Sequence, residues 1–288
     1  MWTISGKTIV ITGATGGIGL EMAGVLAEHG GRVVITGRDP SRLAEAARRI
    51  ETRAGFRPPT YCADFASLAD VARLASELRR DLPRLDVLIN NAGGVHARRT
   101  MTVDGFEATF AVNHLAPFLL TTELLPLLKA STPARVITVA SIGHRRVKES
   151  FLDDLLYARG YSTLMAYSRS KVANIWFATE LARRLKGVDV TSNALHPGRI
   201  ATNIWNGAPW WAKPIIRYWI SRQFITIEDG ARPVVALATR ADLSATSGEY
   251  FESFEPVAPT ALAQDAVLAA RLWEISEKAV ARFVTHQP

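Results

Sequence analysis

Thr12-Gly13-Ala14-Thr15-Gly16-Gly17-Ile18-Gly19 follows the apolar run Thr8-Ile9-Val10-Ile11 and precedes a segment of helical pattern that ends near His29. Strand, glycine turn and helix, in that order, are what a dinucleotide site requires. Glycines let the backbone turn tightly and approach a pyrophosphate, and the free N–H groups and positive end of the following helix stabilise its charge. The spacing is Gly-x-x-x-Gly-x-Gly, one residue longer in its first gap than Gly-x-Gly-x-x-Gly. Alone, such a cluster also reads as a plain turn, and the rest of the chain decides between the two.

Outward from that turn, short apolar runs alternate with longer helical patterns. The runs are Arg32 to Thr36, Thr60 to Ala63, Val87 to Asn90, Arg135 to Ala140 and Asp189 to Leu195. Such alternation predicts βαβ units, hence an α/β fold with a doubly wound parallel sheet and helices on both faces. No Pro/Gly/Ser-rich linker or charge block divides the 288 residues, so 1–288 reads as a single domain, and 48% hydrophobic residues suffice for its core. The single cysteine, Cys62, excludes an internal disulfide and suits a reducing compartment.

The greasiest region, Phe110 to Leu128, carries Asn113, His114 and Glu123, which argues against a membrane span, and the N-terminus enters a strand without signal-peptide character. A cytoplasmic protein is expected. The net charge of +7 raises nucleic acid as a partner, but the arginines are spread through helical patterns such as Ser41 to Arg53, and the dense group His144-Arg145-Arg146 with Lys148 has no interleaved aromatics. No nucleic-acid partner is expected, nor a metal, since no Cys/His/carboxylate spacing suits one.

Ligands of such sheets sit at the carboxyl ends of the strands. The second run ends in Thr36-Gly37-Arg38-Asp39, which should read the adenosine ribose. An acid there accepts from both ribose hydroxyls and favours NAD, whereas an arginine pairs with a 2′-phosphate and favours NADP. Gly37 occupies the turn where the acid would be expected and Arg38 follows it, so NADP(H) is favoured over NAD(H), with Asp39 or Ser41 as a helix cap in the other reading. Asp64 ends the third run, either to hydrogen-bond the adenine amino group or to cap a helix before Ser67. The fourth closes with Asn90-Asn91-Ala92-Gly93-Gly94, where small residues leave room for adenosine and amides supply hydrogen bonds.

Asn113 is an amide inside an apolar helical pattern, satisfying a kink near Pro117 or serving a site. His114 reads as structural. The fifth run delivers Ser141, which would also serve as a cap. Tyr167-Ser168-Arg169-Ser170-Lys171 opens a helix to about Lys186, and residues four apart share a helix face. A phenol is a poor acid/base group at neutral pH, and a nearby cation favours its phenolate. Tyr157 and Tyr161 have no lysine four residues on. After the sixth run, Pro197-Gly198 forces a turn, His196 beside it reads as structural, and Thr202 could hydrogen-bond a nicotinamide carboxamide. The stretch 204–227 holds Trp205, Trp210, Trp211 and Trp219 and must cover a substrate, a partner, a membrane surface or its own core. A substrate lid is the expected reading, which makes the substrate bulky and apolar. Residues 258–288 read as a C-terminal helical extension.

In this order, Thr-Gly-x-x-x-Gly-x-Gly, Asn-Asn-Ala-Gly, Asn113, Ser141, Tyr-x-x-x-Lys and Pro-Gly resemble the short-chain dehydrogenase/reductase family over nearly the whole chain. Asn113-His114-Leu115, the long Ser141 to Tyr167 separation, Ala194-Leu195-His196-Pro197-Gly198 and Leu272-Trp273-Glu274-Ile275-Ser276-Glu277 look most like its retinol dehydrogenase-like group, though an N-terminal anchor like that of the membrane-bound members is not expected. The resemblance implies a Rossmann-type fold and an NADP-dependent oxidoreductase that interconverts a bulky apolar alcohol and its aldehyde or ketone. It implies Tyr167 as general acid/base and Ser141 as hydrogen-bond donor to the reacting oxygen, a contact worth about 3 kcal/mol. Lys171 would lower the tyrosine pKa and bind the nicotinamide ribose, and Asn113 would hold a water in a proton relay. Cofactor contacts would come from Gly13, Thr15, Gly17, Ile18, Gly19, Arg38, Asp64, Asn90, Ala92, Gly93, Tyr167, Lys171, Pro197, Gly198 and Thr202. The substrate is a small molecule, membrane contact is not expected, and assembly into a homo-oligomer stays open. Two alternatives are a regulator that senses NADP(H) without turnover, which needs no proton donor, and an epimerase acting on nucleotide sugars, for which the short C-terminal portion leaves little room.

Overall fold

Successive side chains of a strand point to opposite sides of its sheet, and here both sides are apolar. Ile9 and Ile11 enter one core cluster while Val10 enters the other, and Val87 and Ile89 part from Leu88 in the same way. A strand buried on both faces belongs to a parallel sheet covered by helices, and that is the architecture of the structure, a computed structural model that describes residues 2–198 and 225–285.

The strands are β1 (Thr8–Ile11), β2 (Arg32–Gly37), β3 (Thr60–Cys62), β4 (Val87–Asn90), β5 (Ala134–Val139), β6 (Val190–His196) and β7 (Tyr250–Glu252), parallel in the order β3-β2-β1-β4-β5-β6-β7. A short β8 (Glu255–Pro256) adds to β7 antiparallel. The helices are α1 (Gly17–Glu28), α2 (Pro40–Ala54), α3 (Leu68–Asp81), α4 (Ala108–Ala130), α5 (Thr163–Arg184), α6 (Ile227–Thr239) and α7 (Ala266–Val280). The core cluster on one face takes in α1, α2 and α6, and the cluster on the other takes in α3, α4, α5 and α7. Because β1 pairs with both β2 and β4, the chain reverses its direction of winding there, and a crevice opens at the carboxyl ends of β1 and β4.

The expected runs match β2 to β6 to within a residue at each end. The doubly wound parallel sheet is as expected, with the two-residue β8 added antiparallel at its edge. Two expectations are corrected. The helix that carries Tyr167 does not open there: Ser162 caps it by accepting from the Met165 N–H, so Tyr167 and Lys171 stand in its second and third turns. And α4 does have the length and mean hydropathy, 1.2, of a membrane span, but 72% of its most apolar window is buried inside the protein, with Asn113, His114 and Glu123 all enclosed. It is a core helix. Thr202 and nearly all of the expected lid, 204–227, lie outside the described residues.

Candidate active site

The glycine turn owes its shape to close approaches. Gly13 has φ +67°, and a Cβ there would stand 2.8 Å from Ala92 Cα. A Cβ on Gly19 would stand 2.6 Å from Asn91 Nδ2. The turn after β1 and the loop after β4 are thus pressed together. Thr12 rivets them: its hydroxyl accepts from the Asn91 and Ala92 N–H groups at 3.0 and 2.9 Å and faces the Ile89 carbonyl at 3.3 Å. Asn91 returns its amide to the carbonyls of Thr12 and Gly13, at 2.8 and 3.2 Å.

Most helices begin with a side-chain cap: Asp39 on α2, Ser67 on α3, Glu107 on α4, Ser162 on α5, Thr226 on α6 and Asp265 on α7. Helix α1 has none and carries no acid in its first turn. Its amides and positive dipole end are left for an external anion. Gly17, exposed at φ +55°, has open space where a Cβ would be. The residues present fit a dinucleotide's phosphates. Ile18 is half-buried against the core, and Thr15 covers Gly37, where a side chain would collide with it.

At the end of β2, Arg38 is exposed and its guanidinium has no ion-pair partner among the described residues. Asp39 spends its carboxylate on α2, accepting from the Ser41 and Arg42 N–H groups at 2.9 and 3.1 Å. Arg42, not expected to take part, brings its guanidinium 3.3 Å from where a Gly16 Cβ would stand. Asp64 is exposed, and its carboxylate accepts from the Ala66 N–H at 3.0 Å while Ser67 caps α3. The amide of Asn90 is turned inward to Thr121 at 2.9 Å. The Nδ2 groups of Asn90 and Asn91 are thus engaged within the protein, while the Asn90 Oδ1 has no hydrogen-bond partner among the described residues. Pro197 is buried and Gly198 has φ +106°, with Ile225 packed where a side chain would lie.

The four predicted catalytic residues come together beyond the ends of β4 and β5. A Cβ on Gly93 would stand 3.1 Å from Asn113 Oδ1 and 3.8 Å from Lys171 Nζ. One on Gly143 would stand 3.4 Å from Ser141 Oγ, 3.5 Å from Tyr167 Cε1 and 3.6 Å from Ser168 Oγ. Glycines at both places keep the space between these groups clear. Ser141 does cap the following 3-10 turn, accepting from the Gly143 N–H at 3.1 Å, which leaves its O–H to donate elsewhere.

Asn113 sits in a π-turn, Ala111–Leu115, within α4. Its Oδ1 accepts from the Gly94 N–H at 2.8 Å, and its Nδ2 donates to the Gly94 carbonyl and to Ser170 Oγ at 3.0 and 2.9 Å. Pro117, four residues on, has no N–H to give the Asn113 carbonyl in the ordinary helical way. Lys171, 5% exposed, donates from Nζ to the Val139 carbonyl at 2.9 Å, beside Asn174 Nδ2 at 3.2 Å. Burial pushes its pKa down to about 8. Burial likewise pushes the Tyr167 phenol above its ordinary range, against the opposing hydrogen bond of Ser141. The lysine lies 5.4 Å from the Tyr167 ring centre. His114 and His196 are buried, as structural histidines would be.

Residues 7–212 match the short chain dehydrogenase family. Retinol dehydrogenase 14 of Mus musculus is 41% identical, over 94% of this chain and 85% of its own length. Retinol dehydrogenase 13 of Homo sapiens is 38% identical, over 96% and 86%. The Pseudomonas aeruginosa RhlG/NADP active-site complex superposes with a TM-score of 0.71 at 28% identity, covering 87% of this chain and 95% of that one. The fold, the crevice at the switch point and these matches agree: the chain belongs to the short-chain dehydrogenase/reductase family of NAD(P)-dependent oxidoreductases acting on CH–OH groups, in its retinol dehydrogenase-like group.

Proposed function

We propose that the protein is an NADP(H)-dependent oxidoreductase that interconverts a bulky apolar alcohol and its aldehyde or ketone, with Tyr167 as proton donor and acceptor. The observation that carries this reading is the convergence of Ser141 and Tyr167 about Gly143, and of Asn113 and Lys171 about Gly93. When bound, the nicotinamide supplies or takes the hydride. The remaining work belongs to side chains. Tyr167 gives its hydroxyl proton to the carbonyl oxygen in reduction and recovers it in oxidation. The O–H of Ser141, turned from the Tyr167 phenol, donates to the same oxygen where negative charge develops. Lys171 holds the nicotinamide ribose hydroxyls and favours the phenolate once the cofactor draws it from Val139. The Asn113 carbonyl, deprived of a helical donor by Pro117, accepts a water that passes protons between Lys171 and solvent.

Three observations support NADP(H): among the described residues the Arg38 and Arg42 guanidiniums at the ribose end have no ion-pair partner, Asp39 is committed to α2, and Gly37 offers no acid. The bulky apolar substrate is supported by the names of retinol dehydrogenases 13 and 14 and by the tryptophans of 204–227. A sensor without turnover is not favoured, because it has no use for a proton donor beside a buried lysine. The reading is tested by following NADPH oxidation with a panel of bulky aldehydes and ketones that begins with retinal. Turnover of at least one, lost in Tyr167→Phe, is the expected outcome; a panel without turnover would contradict it.

A further inference from the structure

Two motifs that lie far apart in the sequence, Asn113-His114-Leu115 and Leu272–Glu277, meet in the fold. His114 follows Asn113 in the π-turn, is 1% exposed, and places Nε2 2.9 Å from Ser276 Oγ of α7, which is 0% exposed. Its Nδ1 has no hydrogen-bond partner among the described residues, so Ser276 is its polar anchor there. Burial pushes the ring's pKa down to about 3, so it is neutral at physiological pH. Aromatic rings pack around it: Phe110, Phe118 and Phe177 have ring centres 5.1, 6.1 and 6.3 Å away. Trp273 of α7 stacks on Phe177.

Aromatic packing alone would bury α7 and would tolerate some sliding. A polar pair in a dry interface does not, because each partner left alone keeps an unsatisfied group. The π-turn needs such a constraint. It holds one residue more than an α-helical turn, with the Ala116 N–H donating to the Ala111 carbonyl, and reverting to α-helix would rotate what precedes it by roughly one residue's worth of turn. Asn113 would then leave Gly94 and Ser170.

We infer that the His114–Ser276 hydrogen bond makes the C-terminal helix α7 a positioning element for Asn113, holding the π-turn in the register that aims the amide at Gly94 and Ser170. The inference rests on the place given to Asn113 in the proton relay above. His114 and Ser276 touch no reacting group and act only through Asn113.

The test compares full-length wild type with Ser276→Ala, Ser276→Thr and Asn113→Ala. Removing one hydroxyl leaves the shape of α7 intact. In Ser276→Ala, amide hydrogen exchange across 111–116 should quicken by roughly tenfold, the loss of one neutral hydrogen bond. The kcat for retinal with NADPH should fall by a similar factor, with the pH profile of kcat displaced and the KM for NADPH unchanged. Ser276→Thr should restore all three. Wild-type exchange and kcat in Ser276→Ala, with turnover lost in Asn113→Ala, would overturn the clamp and leave the relay standing. Unchanged turnover in Asn113→Ala would show that the amide is not needed to place the relay carbonyl, and would overturn the purpose assigned to the clamp.

Discussion

Lys171 donates to the carbonyl of Val139 at 2.9 Å and stands 5.4 Å from the centre of the Tyr167 ring. Helical spacing brings the lysine to the site, and the end of β5 then holds it as a buried cation. Buried lysines favour the neutral form, which is why its pKa falls from 10.5 to about 8. The sign follows. With the folded value below the unfolded one, the protein loses stability as pH falls from about 10.5 to about 8, and below that the full penalty is present.

Lys171→Met should therefore hold or raise the thermal midpoint at pH 7 while turnover falls at least 10²-fold. The Val139 carbonyl is not orphaned by the change, because Asn174 still donates to it at 3.2 Å. Calorimetry and steady-state kinetics on one preparation check both halves. In the wild type, NADPH affinity should weaken as pH rises through about 8, where the ammonium is lost; Lys171→Arg should flatten that limb.

At the ribose end, Arg38→Ala and Arg42→Ala should each weaken NADP binding by about ten- to a hundredfold, the loss of a charge-assisted contact, and leave NAD nearly unchanged. Asp39→Ala should instead cost about 1 kcal/mol of stability through the lost α2 cap, with little effect on the choice of cofactor. Calorimetric titration with both nucleotides and urea unfolding separate the two effects.

Thr12→Val should destabilise the protein by about 1 to 3 kcal/mol, since the Ala92 N–H loses its acceptor while the Asn91 N–H keeps only the Ile89 carbonyl at 3.0 Å. The loosened loop should raise the KM for NADPH as well. Thr12→Ser keeps the hydroxyl and should recover most of both losses in denaturant unfolding and kinetics.

Much of this arrangement was legible in the sequence. The period of the apolar runs marked β2 to β6, and the ordered motifs singled out Asn113, Ser141, Tyr167 and Lys171, which the fold gathers about Gly93 and Gly143. Thr12, Asn91, Ser170 and Asn174 were not legible, because they bind backbone or side chains brought near only by folding. Arg42 was hidden among the other arginines of α2, two of which, Arg48 and Arg53, pair with glutamates. Three-residue β7 and two-residue β8 are too short for a period to show. The π-turn leaves only Pro117 as a sign, and a proline four residues after an amide says that a carbonyl has lost its donor, not how the helix widens.

The account turns on Tyr167 as the group that moves the proton. Tyr167→Phe removes one oxygen from a half-buried ring and should leave NADPH affinity, by calorimetry, within about twofold of wild type. The direct measurement is kcat for the best carbonyl substrate in that variant, expected to fall by 10² to 10⁴-fold. Near-normal kcat with intact cofactor binding would contradict the assignment.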